Sequence, residues 1–118
     1  DSKKLIRSYE EVNRKLGLEK IIDAFQRTKS LYAQNQDDVL ASVKKLQENV
    51  SEGHENFQSF VDSIMLSINK IANIAEIRHT EVYQDALQSE KQRDYLFQVT
   101  LMTINLLLKG YNETGGNQ

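Results

Sequence analysis

The sequence predicts an all-α protein: an elongated up-and-down helical bundle of one short and three long helices, over about 3–16, 18–50, 54–77 and 80–110. Three observations carry that prediction. Proline is absent, and the five glycines fall mostly at or beyond points where the apolar pattern stops; strands, turns and long loops consume both residues. Residues 95–108, YLFQVTLMTINLLL, carry no charge and are apolar on nearly every side, which is the mark of a helix sunk among neighbours. A seven-residue apolar repeat runs from Leu18 to Ile74, and a sustained 3.5-residue period packs helices at shallow angles.

The elements follow in order. Leu5, Tyr9, Val12 and Leu16 recur at steps of four, three and four, giving an amphipathic first helix that Ser2 caps and Gly17 ends. From Leu18 the repeat takes in Ile22, Phe25, Tyr32, Val39, Val43, Leu46 and Val50, with Lys29 and Gln36 as interruptions. The polar run Asn35–Asp38 offers a new N-terminus, but the repeat is read as one helix over 18–50. Gly53 in SEGHEN makes the next turn. Beyond it the seam resumes with Phe57, Phe60, Ile64, Ile71 and Ile74, Ser67 being its gap, and Val61, Met65, Leu66, Ile68, Ala72 and Ala75 broaden the face. Two starts compete for the last helix. Thr80 with an acidic first turn is preferred to the capping box Ser89-Glu90-Lys91-Gln92, so the helix runs over 80–110 and Gly110 ends it. Asp94, Gln98, Asn105 and Lys109 form one narrow stripe, the only part of the apolar segment expected to reach water. Residues 112–118 are expected to be a disordered tail.

A chain of 118 residues holds one domain with a modest core. The net charge of −2 hides a mild asymmetry: residues 1–50 carry ten Lys/Arg against eight Asp/Glu, and residues 51–118 five against nine. No basic stripe exists of the kind that neutralising nucleic-acid phosphates requires, and no apolar run approaches the roughly 20 residues that span a bilayer. The chain opens on Asp1 rather than Met, which points to a removed leader or an excised domain.

Candidate chemistry is thin. The absence of cysteine removes thiol nucleophiles, disulfides and cysteine zinc sites together. Glu76-Ile77-Arg78-His79 has the Glu-x-x-His spacing of di-iron bundles, which use two such pairs plus two further glutamates. Here the second histidine, His54, has Ser51 three residues before it, so no metal set is expected and no cofactor. Hydrolase chemistry needs a base held against an activated nucleophile, and two histidines without a Gly-x-Ser-x-Gly elbow supply no such constellation. Glu10/Glu11 and Asp37/Asp38 are adjacent pairs that diverge on a helix. The chain is not expected to be an enzyme.

Asn49-Val50-Ser51 and Asn112-Glu113-Thr114 match the N-glycosylation pattern. With nine asparagines and fourteen Ser/Thr, about one such match arises by chance, and a glycan at Asn49 would require Val50 to stay accessible. The charged run Ser89–Asp94 is either a solvated face or a polar recognition patch. On the second reading Glu90, Lys91, Arg93 and Tyr83 are the candidate protein-binding residues, with Tyr95 also of an interface-prone type. Tyr9, Tyr32, Tyr83 and Tyr111 are read as core-edge residues.

The start at Asp1, the mass of 13.6 kDa, the lack of cysteine, and the segments EEVNRKLGLEKI (10–21) and EKQRDYLFQVTLMTINLLL (90–108) resemble the anopheline mosquito salivary inhibitors of the albicin and anophensin type. The likeness covers overall build across the whole chain without a short motif, so it carries over no binding residue. It implies a secreted salivary protein that inhibits a host plasma protease cascade without enzymatic action. For albicin-like members it implies binding the alternative complement pathway C3 convertase. Such an inhibitor is expected to be a monomer with a host plasma protein as partner, and with no nucleic acid or membrane involved. The rival is a structural or adaptor coiled-coil module that pairs with itself or with another helical protein. What separates the two is the fate of Phe57, Phe60, Ile64, Ile71 and Ile74: a seam consumed within the chain leaves no surface for pairing.

Overall fold

The structure, a computed structural model, describes residues 17–77 and 89–114, with side chains to residue 73 in the first span. It is a bundle of helices with no strand among the described residues, and it is elongated, 55 × 28 × 25 Å. Helix α1 occupies 17–29, α2 Val39–Ser51, α3 Glu55–Ile77 and α4 Glu90–Glu113. The expected helix over 3–16, the third chain reversal and the first part of the helix over 80–110 lie outside the described residues.

The expected helix over 18–50 is two helices. α1 stops after residue 29 because the backbone tightens to three-residue steps: Ser30, Leu31 and Ala33 donate to the carbonyls of Arg27, Thr28 and Ser30. Asn35 is fully extended, and its Oδ1 accepts from the Asp37 amide at 3.0 Å. That is an asparagine cap, which satisfies a helix-start donor better than continued helix would. A single 3-10 turn, Gln36–Asp38, then leads into α2. The polar run set aside in the sequence is thus the break. Lys29, one of the interruptions of the repeat, is half-buried; its amine donates to Asn69 Oδ1 at 2.8 Å and lies 5.4 Å from the Phe25 ring centre.

The turn at SEGHEN forms as expected. Glu52 (φ 50°) and Gly53 (φ 84°) are both left-handed, and the His54 amide closes on Ser51 O at 2.8 Å.

α4 corrects both ends of the predicted last helix. Its N-cap is Ser89, in extended backbone (φ −83°, ψ 132°), so the helix begins at Glu90, the start that the sequence reading passed over. The acidic Glu90 in the first turn suits the positive end of the helix dipole, although Ser89 makes no side-chain cap. Gly110 does not end the helix, which continues to Glu113 and takes in two residues of the expected tail. Gly17 is helical and part of α1, and the helix it was expected to end lies outside the described residues.

Gly110 has a different task. It is buried, and a Cβ built on it would meet Val50 Cγ1 at 2.6 Å and Asn49 Cβ at 3.4 Å. A glycine here lets α4 lie against α2 more closely than any side chain permits.

The core comprises Leu18, Ile22 and Phe25 from α1, Leu46 from α2, Val61, Met65, Ile68 and Ala72 from α3, and Leu96, Ile104 and Leu107 from α4. Each large member contributes about 1.5–3 kcal/mol by leaving water. Gln47 is buried and ties α2 to α3 through Asp62 Oδ1 at 2.9 Å, with Met65 Sδ at 3.5 Å. At the far end Tyr32 joins three segments. Its hydroxyl accepts from Asn49 Nδ2 at 2.8 Å and lies 3.4 Å from Thr114 Oγ1. Its ring meets that of Tyr111 edge-on at 5.0 Å, with the Lys45 amine 4.3 Å from the ring centre. Its amide donates to the buried Ser42 Oγ at 3.0 Å.

Candidate protein-binding surface

On α3 the buried stripe is Val61, Met65, Ile68 and Ala72. It lies one residue out of phase with the seam that continues the heptads, Phe57, Phe60, Ile64, Ser67 and Ile71. A helix turns 100° per residue, so two stripes one residue apart are adjacent faces, and burying one leaves the other at the rim. Phe57 and Phe60 are accordingly 38% and 59% exposed, with ring centres 6.1 Å apart, and Ile64 and Ile71 are half-buried.

α4 repeats the arrangement. Leu96, Thr100, Thr103, Ile104, Leu107 and Gly110 face the core. Beside them Gln92, Tyr95, Val99, Met102 and Leu106 form a second stripe at steps of three and four, with Tyr95 73% and Met102 69% exposed. The expected water-facing stripe of Asp94, Gln98, Asn105 and Lys109 is exposed throughout. It is not the only part to reach water, because Tyr95 and Met102 do so too.

The two outer stripes face one another across a groove of about 670 Å³. Its walls are Phe60, Ile64, Ile68 and Ile71 on one side and Tyr95, Leu96 and Val99 on the other, and Ser63, Ser67 and Gln92 are its polar lining. Among the described residues no charged side chain lines it. A trough of this kind, apolar along its length and polar only at its lip, suits a ridge of apolar side chains such as an amphipathic helix presents. Among the described residues its lining holds no histidine or carboxylate; its polar groups are the Ser63 and Ser67 hydroxyls, the Gln92 amide and the Tyr95 phenol.

The sequence-predicted binding residues fare unequally. Glu90 and Lys91 are exposed at the start of α4, next to the groove residue Gln92. Arg93 is 7% exposed and is a buried member of α4, so it does not belong to a surface patch; its position one turn before Leu96 and Phe97 carries it inward. Tyr83 lies outside the described residues. Tyr32 and Tyr111 are half-buried edge residues, as read from the sequence, and Tyr9 and Tyr83 are outside the description. Sequence reasoning missed Met102, because within an all-apolar run its 3–4 spacing from Tyr95, Val99 and Leu106 has no polar background to stand against.

Among the described residues no three His, Asp or Glu side chains gather as a metal set, and no helix is long and apolar enough to cross a membrane. His54 is exposed in its turn; the side chain of Glu76, with Arg78 and His79, is outside the description. Comparison of the chain with protein-family models, with curated proteins and with solved structures finds no match.

Proposed function

We propose that the chain is a non-enzymatic protein-binding module, and that its working surface is the outer stripe formed by Phe57, Phe60 and Ile64 on α3 with Tyr95, Val99 and Met102 on α4. The observation that supports this reading is the exposure of Phe60 and Tyr95, large aromatics on facing helices that the chain's own core leaves in water. Aromatic side chains of this kind are the usual anchors of interfaces. Helices held by a packed core lose little ordering entropy on docking.

The resemblance to the salivary inhibitors supplies the partner. On that reading the protein is secreted and binds a host plasma component, the alternative-pathway C3 convertase, and disables it by occupancy. The test is C3b deposition on an activating surface in magnesium-EGTA serum, with the protein and its Phe60→Glu/Tyr95→Glu variant titrated in. Loss of deposition near stoichiometric amounts of the wild type, abolished in the variant, is the expected result. No effect of the wild type at large molar excess would sink the convertase assignment.

One observation favours a second reading. Of the heptad seam, Phe57 and Phe60 stay exposed while Ile64 and Ile71 pack partly against the core, so its first part is left for a self-pairing adaptor. Sedimentation separates the two: a monomer at micromolar concentration removes the second reading, and a dimer that the Phe60→Glu/Tyr95→Glu variant dissolves establishes it.

A further inference from the structure

The two N-glycosylation patterns sit in opposite structural situations. Asn49 is in the last turn of α2, with its amide Nδ2 donating to Tyr32 Oη at 2.8 Å. Val50 fills the space that Gly110 leaves open. Ser51 is 4% exposed, and its hydroxyl donates to Gln47 O at 2.6 Å. Asn49 and Val50 therefore join α2 to its neighbours, and Ser51 is buried with its hydroxyl turned back onto its own helix. Asn112 is exposed one residue before the end of α4, and Thr114 is the exposed C-cap. The Thr114 hydroxyl donates to Gly110 O at 2.9 Å and Tyr111 O at 3.2 Å within its own turn, and its one contact beyond that turn is the long 3.4 Å approach to Tyr32 Oη at the exposed end of the bundle. Presenting Asn112 to a transferase requires fraying of one terminal turn, the least stable part of any helix. Presenting Asn49 requires undocking α2 from α4.

We infer that Asn112 is an N-glycan acceptor of this protein and that Asn49 is not. This rests on the proposed secretion, because the reaction belongs to the secretory compartment. There the Asn112 amide nitrogen attacks the anomeric carbon of a lipid-pyrophosphate-linked oligosaccharide. A nitrogen–carbon bond forms, the carbon–oxygen bond to pyrophosphate breaks, and the lipid pyrophosphate leaves with that electron pair while the amide gives up one proton. The position is compatible with the binding surface. Asn112 lies about 25 Å along the helix axis from Tyr95, at 1.5 Å per residue, so a glycan there leaves the groove open.

The test is expression behind an added signal sequence in a eukaryotic secretory host, with intact mass read before and after treatment with a peptide N-glycosidase. The wild type and Asn49→Gln are expected to carry one removable glycan, and Asn112→Gln and Thr114→Val none. An unmodified wild type, a second glycan, or a glycan retained in Asn112→Gln would each overturn the inference. Because the added leader imposes secretion, this readout is independent of C3b deposition, and the two proposals fail separately.

Discussion

Replacing Gly110 with Ala sets two effects of similar size against each other, and the structure says which prevails. In the interior of a helix Ala is favoured over Gly by about 1 kcal/mol, so propensity alone makes the variant more stable. The added Cβ, however, would stand 2.6 Å from Val50 Cγ1, with the Val50 amide nitrogen 3.5 Å away. Real carbon contacts do not approach 2.6 Å. The obstructing atom belongs to a β-branched side chain with one preferred rotamer in a helix, and backbone stands behind it. Overpacking of this kind costs about 1–3 kcal/mol, so a net loss of about 1 kcal/mol is expected, or roughly 3–6 °C in Tm for a chain of this size. The cause is isolated by a cycle. In a Val50→Ala background the space is vacant, and Gly110→Ala should become stabilising. A coupling of about 1–3 kcal/mol between the two positions follows. Urea unfolding of the four proteins, followed by helical circular dichroism, measures it. If Gly110→Ala stabilises the protein while Val50 is present, or if the two changes are additive, the close approach of α2 and α4 does not exist as described.

Other outcomes follow from single side chains. Thr100 is fully buried, and none of the described residues offers its hydroxyl a hydrogen-bond partner; Thr100→Val keeps the shape, removes the stranded polar group, and should raise stability by about 1 kcal/mol at unchanged urea m-value. Ser42→Ala strands the Tyr32 amide that now donates to Ser42 Oγ and should cost about 1–2 kcal/mol, measured in the same way; no change would mean that water replaces the hydroxyl. Phe60→Glu/Tyr95→Glu should unfold within about 1 kcal/mol of wild type, because both rings already face solvent. A large loss there would show that the outer stripe is part of the core.

Much of the architecture was legible because helix periodicity is a strong signal. Leu18, Ile22 and Phe25, and Leu46, follow from the repeat, and Glu52-Gly53 from the glycine that interrupts it. Three features were not. The break at Asn35 falls at the gap the repeat has at Gln36, but the heptad phase resumes unchanged beyond it at Val39, and a cap that acts through one side-chain oxygen does not by itself tell an interruption from an end. The phase of α3 is ambiguous because it carries two adjacent apolar stripes, and only the positions of its neighbours decide that Val61 and Met65 go in while Phe60 stays out. Gly110 reads from sequence as a helix stop, and its role as a contact point depends on Val50, sixty positions earlier. The candidate surface was half visible: its phenylalanines stood in the seam whose fate separated the two functional readings, and Tyr95 was noted beside Arg93. The burial of Arg93 was not visible, because a charge next to an apolar run reads equally well as facing either way.

The cluster around Tyr32 has a kinetic consequence. Tyr32 lies in the connection between α1 and α2, while Thr114, which its hydroxyl approaches, is 82 residues further along the chain. Bringing together groups so far apart is entropically late in folding, whereas α2, its turn and α3 are joined by local contacts that can form early. Interactions absent from the transition state act on the unfolding rate and hardly on the folding rate. Removing the Tyr32 hydroxyl or the Tyr111 ring should therefore steepen the loss of native protein with time while refolding stays as fast as before. The end of the bundle where the chain closes on itself sets how long the fold lasts once made.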